Sequence, residues 1–120
     1  MERRPQNNCP TAHKAPPAPY YAVIFSSTLS DNAEGYSSMA DRMVALAREQ
    51  EGFIDVESAS RTSDGFGITV SYWRDLESIK KWRAQSEHAA AQRMGRDAFY
   101  RSYRLRIARV ERDSGFDRDE

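Results

Sequence analysis

The chain has 120 residues, 18 Lys plus Arg against 18 Asp plus Glu, 39% hydrophobic residues and one cysteine, the size and balance of a single small domain. It contains no run of about 18 apolar residues and no N-terminal h-region, which argues against a transmembrane helix or a secretory leader and for a cytoplasmic address. Cys9 alone makes no internal disulfide, His13 and His88 write no zinc-ligand spacing, and a net charge of zero argues against electrostatic capture of nucleic acid or anionic lipid.

All five prolines lie within residues 1–19, which carry a net charge of +2 and read as a disordered Pro-rich tail. Residues 113–120 read as an acidic disordered tail. The domain between them, 20–112, is small enough that a partner subunit is expected to bury part of its surface. Tyr20 to Ser27 is aromatic and β-branched, the composition of a strand. Ser30-Asp31-Asn32-Ala33-Glu34 has the spacing of a capping box. Tyr36, Met39, Ala40, Met43, Leu46 and Ala47 then recur at three- and four-residue intervals, one apolar stripe of a helix that Gly52 is expected to end as a C-cap.

Phe53 to Arg61 alternates loosely, with Phe53, Asp55 and Glu57 on one parity and Ile54, Val56 and Ser58 on the other. Thr62-Ser63-Asp64-Gly65 reads as a turn. Phe66 to Trp73 alternates strictly, with Phe66, Ile68, Val70 and Tyr72 on one face and Gly67, Thr69, Ser71 and Trp73 on the other, so 53–73 is a hairpin. Asp75 caps a second helix on which Leu76, Ile79 and Trp82 share a face. An unbroken helix would carry position 88 about 180° from Ile79. A break near Gln85-Ser86 is therefore expected, with Ser86 capping a short helix through Arg93 that Gly95 closes. Phe99 to Val110 is a long strand, apolar on both parities.

The order β-α-β-β-α-β is the ferredoxin-like α+β arrangement, a four-stranded antiparallel sheet with the helices on one face. Its other face is left bare, and a last strand that is apolar on both sides points to a homodimer packed sheet to sheet. RNA-binding modules share this topology, and Asp64 to Ser71 looks like their octamer motif. Its chemistry is missing: Asp64 replaces the phosphate-binding base, while Ile68 and Ser71 replace stacking rings.

The runs Glu51-Gly52-Phe53 to Ser58, Gly65 to Ile79 with its Tyr72-Trp73, and Lys81-Trp82 to His88 resemble the antibiotic biosynthesis monooxygenase family over roughly Tyr20 to Arg112. The resemblance implies a dimeric α+β barrel and, for some members, cofactor-independent oxidation of small aromatic or quinol-like substrates by molecular oxygen. Such a reaction uses the substrate as its own electron donor. The protein then supplies a dry apolar pocket, a base and hydrogen-bond donors, with no metal or other cofactor. His88 is the candidate base, as the domain residue that titrates near neutrality. Phe25, Tyr36, Met39, Met43, Tyr72, Trp73 and Trp82 are the candidate walls of a substrate pocket, each with core packing as its alternative.

A haem-degrading branch of the same superfamily uses an Asn on the first strand and an axial His ten residues after a Trp. Here the first strand offers Ser26 and Ser27, and the tenth residue after Trp82 is Gln92. The alternative to an enzyme is a ligand-binding or accessory dimer of the same fold.

Overall fold

Tyr20 to Leu29 is a run of aromatic, β-branched and hydroxyl side chains free of glycine and proline. In the computed structural model, which describes residues 17–31, 36–59, 63–92 and 99–118, it forms the ten-residue strand β1. β1 lies inside the sheet, flanked by β3 (Phe66–Trp73) and β4 (Tyr100–Val110), and β2 (Phe53–Ala59) completes the order β2-β3-β1-β4. All three pairings are antiparallel. With α1 (Tyr36–Arg48) and α2 (Leu76–Gln92) as the crossovers, this is the expected ferredoxin-like α+β fold.

The capping box expected before α1 falls on residues 32–35, outside the described residues. At its other end α1 stops at Arg48 through two short i→i+3 bonds, from Glu49 N–H to the Leu46 carbonyl at 3.3 Å and from Gln50 N–H to the Ala47 carbonyl at 3.0 Å. Gly52 is therefore not the helix cap the sequence led us to expect. It is a point of close approach: a Cβ there would lie 2.2 Å from Ser78 Oγ and 2.7 Å from Ser78 Cβ, and its carbonyl accepts the Arg74 N–H at 2.7 Å. The left-handed glycine is Gly65, at φ 88°, which turns the hairpin as predicted while Asp64 Oδ1 accepts the Phe66 N–H.

Asp75 caps α2 as expected, its Oδ1 accepting the Ser78 N–H at 2.8 Å. That bond holds the Asp75 carboxyl below its ordinary pKa. The break expected at Gln85-Ser86 does not occur, and α2 runs 17 residues without interruption. Serine is tolerated inside a helix, the alanines at 89–91 are the strongest helix formers, and no proline or glycine interrupts the span. Arg93 and Gly95 lie outside the described residues. The last strand starts at Tyr100 rather than Phe99, whose carbonyl is turned aside to accept the Ser30 N–H at 2.8 Å.

The hairpin also departs from simple alternation. Phe53 pairs with Trp73 but Asp55 pairs with Tyr72, so one extra residue is accommodated around Ile54. Past this bulge the parity of β2 is reversed. Phe53, Val56 and Ser58 share the helix side of the sheet, and Asp55 and Glu57 face the open side. On the helix side Val23, Ala47, Trp73 and Ile79 form the buried core, with Tyr21, Phe53, Trp82 and Leu105 packed against it. The open side presents Ile24, Ile68, Val70 and the 38% exposed Phe66. At one end of that side Tyr20 is buried, its hydroxyl donating to the carboxylate of Asp113 in the irregular segment that follows β4.

Candidate functional site

The helix side of the sheet is not filled solid. Between it and the helices lies a cavity of about 410 Å³, of the size that holds a small polycyclic molecule. Its sheet wall comes from alternate positions of each strand: Val23 and Phe25 on β1, Thr69 and Ser71 on β3, Tyr103 and Leu105 on β4, and, past the bulge, Val56 and Ser58 on β2. The 3.6-residue repeat of α1 supplies Tyr36, Ala40, Met43, Val44 and Ala47. Trp82, Arg83 and Ser86 come from α2, on the face left continuous because the helix does not break.

Aromatic contacts hold this wall in place. Phe25 packs edge-on against Tyr100 and tilted against Tyr103, each with ring centres 5.5 Å apart, and Tyr36 meets Tyr100 at 5.7 Å. The Trp82 indole N–H donates to the Met43 carbonyl at 3.1 Å, which ties α2 to α1 across the cavity. Behind Trp82 lies Trp73, fully buried, with ring centres 5.1 Å apart, and its indole N–H donates to Ser71 Oγ at 2.8 Å.

Of the residues predicted to form a pocket, Phe25, Tyr36, Met43 and Trp82 border the cavity. Trp73 supports it from the core. Tyr72 lies on the opposite face of the sheet, where its hydroxyl donates to Glu57 Oε1 at 2.9 Å and where burial and that carboxylate raise its pKa above the ordinary phenol value. The side chains of Met39 and His88 lie outside the described residues. Position 88 is within unbroken α2, and the helix repeat sets it half a turn from Ile79. Sequence reading missed Tyr100, Tyr103 and Leu105, although the period-two spacing of Tyr103 and Leu105 on β4 was there to be used.

The polar inventory of the wall is short. Ser58 and Thr69 hydroxyls bond each other at 3.1 Å, and Ser71 accepts from Trp73. Ser86 Oγ is buried and has no hydrogen-bond partner among the described residues. Asp41 and Arg83 are the charged residues that border the cavity. Among the described residues no group of three or more His, Cys, Asp or Glu side chains is placed to hold a metal ion, and no helix is long and apolar enough to cross a membrane.

A one-sided ferredoxin-like sheet with an aromatic-walled cavity under its helices defines the fold class. The chain belongs to the antibiotic biosynthesis monooxygenase family, whose model matches residues 19–94. It is 52% identical over 103 residues to the uncharacterized protein YqjZ of Bacillus subtilis, a match covering 86% of this chain and 90% of that one. It is 30% identical over 92 residues, 75% of its length, to the jasmonate monooxygenase ABM of Pyricularia oryzae, of which it spans 43%. Among solved structures, SnoaB of Streptomyces nogalater, a cofactor-independent oxygenase, superposes with a TM-score of 0.63 at 20% identity, over 81% of this chain and 97% of that one. PA3566 of Pseudomonas aeruginosa does so with a TM-score of 0.62 at 18% identity, over 83% and 100%. At these identities the two structures speak to the fold.

Proposed function

We propose that this chain is a cofactor-independent monooxygenase that oxidises a small aromatic or quinol-like substrate with molecular oxygen, working as a homodimer. The observation that carries the reading is the cavity of about 410 Å³ walled by Phe25, Tyr36, Met43 and Trp82. Its flat aromatic rings suit a flat substrate, and its mostly apolar lining leaves few groups to hold water around a reacting anion. An activated CH₂ group is the simplest case. The substrate loses a proton to a base, its carbon takes one oxygen atom and becomes a carbonyl, and the second oxygen atom leaves as water with both substrate hydrogens. All four electrons come from the substrate, so the reaction balances without a further reductant. His88 is the base the sequence offers; on the unbroken helix position 88 is half a turn from Ile79 and off the face that carries Trp82 and Ser86, so the His88→Ala comparison decides its role.

The competing reading, a ligand-binding dimer without catalysis, draws on the titratable side chains of the described wall. These are Asp41, Arg83 and tyrosines, with no imidazole among the described lining residues. Oxygen uptake with anthrone-type phenols and hydroquinones separates the two. The enzyme reading expects substrate-dependent uptake that falls about a hundredfold in His88→Ala, the usual scale of a lost general base. Equal uptake in the variant removes His88 from the reaction. No uptake above the uncatalysed rate with any of these substrates, together with saturable quenching of tryptophan fluorescence, favours the binding reading.

A further inference from the structure

Among the described residues one buried polar side-chain atom, Ser86 Oγ, has no hydrogen-bond partner, and Ser86 borders the cavity. A serine inside a helix ordinarily turns its hydroxyl back to the carbonyl one turn earlier, here that of Trp82, and Ser86 does not. Polar groups elsewhere on the wall and behind it are engaged. The Trp82 indole N–H donates to the Met43 carbonyl, the Trp73 indole N–H donates to Ser71 Oγ, and the Ser58 and Thr69 hydroxyls bond each other. A buried hydroxyl without a partner costs stability, and alanine would serve the helix better at this position. Nothing in the packing of the described residues offsets that cost, whereas an oxygen atom of a molecule in the cavity would.

Resting on the reading of the cavity as the substrate site, we infer that Ser86 is a specificity-determining residue, whose hydroxyl bonds a carbonyl or hydroxyl oxygen carried by a ring that lies against Trp82. Ser86 follows Trp82 by four residues, so the two side chains are neighbours on one face of α2, and both border the cavity. Trp73 covers one side of the Trp82 ring, with ring centres 5.1 Å apart, and the ligand takes the other. An oxygen at the edge of that ligand then comes within reach of Ser86. The serine side chain reorients about a single bond, so its hydroxyl turns to the oxygen without moving the helix. Either kind of oxygen suits it, because a hydroxyl both donates and accepts. Where the oxygen is a carbonyl beside the activated CH₂ group, it gains negative charge as the carbon loses its proton to the base, and the bond from the Ser86 hydroxyl strengthens. A ring without oxygen leaves Ser86 unsatisfied, and the cavity discriminates against it.

The experiment is calorimetric titration of the full chain, as wild type, Ser86→Ala and Ser86→Thr, with 1-tetralone and with tetralin. These two probes share a bicyclic skeleton and differ by a carbonyl in place of one CH₂ group. Ser86→Ala is expected to raise the dissociation constant of 1-tetralone about tenfold, the scale of one lost hydrogen bond. For tetralin the constant stays the same or falls, because the variant no longer sets an unpaired hydroxyl beside an apolar ring. Ser86→Thr keeps the hydroxyl and is expected to keep the wild-type ratio of the two constants. Circular dichroism checks that each variant folds.

A Ser86→Ala variant that binds both probes as the wild type does, or that weakens both alike, overturns the role of Ser86 and leaves the cavity standing as the binding site. A wild type that binds neither probe overturns both.

Discussion

Ser86 has a buried hydroxyl with no partner among the described residues, in the interior of a helix where serine is a poorer helix former than alanine. Both facts point the same way. Ser86→Ala is expected to leave thermal stability unchanged or to raise it by up to about 1 kcal/mol. A clear fall in melting temperature would show that the hydroxyl has a structural role. Tyr20 behaves differently, because burial and its bond to the Asp113 carboxylate raise its pKa from 10.0 to about 12. Below pH 10 the phenol is protonated in folded and unfolded chains alike. Between pH 10 and about 12 the unfolded chain releases the proton and the folded chain retains it, so stability falls as pH rises through this window. Tyr72 adds to the loss in the same direction. Urea unfolding at pH 9 and pH 11 is expected to show a smaller alkaline loss for Tyr20→Phe than for wild type; an equal loss would mean that Tyr20 is not held by that contact.

Among the elements, the junction of β2 with α2 depends on the missing side chain at Gly52. A methyl group there meets Ser78 Oγ at 2.2 Å and Ser78 Cβ at 2.7 Å, and Cβ is fixed to the helix backbone, so the first turn of α2 must move. Gly52→Ala is expected to destabilise by about 1 to 3 kcal/mol in urea unfolding. Ser78→Ala should recover little of it, because Cβ remains. The sequence marked Gly52 as important and gave it the wrong role. A glycine soon after a helix signals both a cap and a close approach, and only the packing of distant elements separates them. The strands and helices themselves were legible, since period-two and period-3.6 patterns reflect burial on one face. The expected break in α2 failed because a local cap signal at Ser86 was set against a whole helix of favourable residues. The cavity was legible in part. Phe25, Tyr36, Met43 and Trp82 could be named as wall residues, and alternation already set Tyr72 on the face opposite Trp73, but which of the two faces the helices cover became known only from the packing.

For the molecule as a whole, topology decides which charges can meet. The arginines of β4 and the acids Asp55 and Glu57 of β2 lie at opposite edges of the sheet, because the strand order is β2-β3-β1-β4. The same register places Tyr103 and Ile107 of β4 at 40% and 42% exposure, so the surface of the single chain is more apolar along this edge than its zero net charge conveys. Much of this arrangement follows from the bulge around Ile54. If the same residues paired regularly, without the bulge, Asp55 and Glu57 would share the parity of Phe53 and turn their carboxylates toward the cavity, while Val56 would point outward. A relative one residue shorter at Ile54 would need no bulge and would keep these faces, whereas a relative of the same length that paired without the bulge would differ in what its cavity admits and in what its outer face binds. In this strand a shift of register is a route to new specificity, and the pairing of the segment carries as much information as the identity of its residues when relatives are compared.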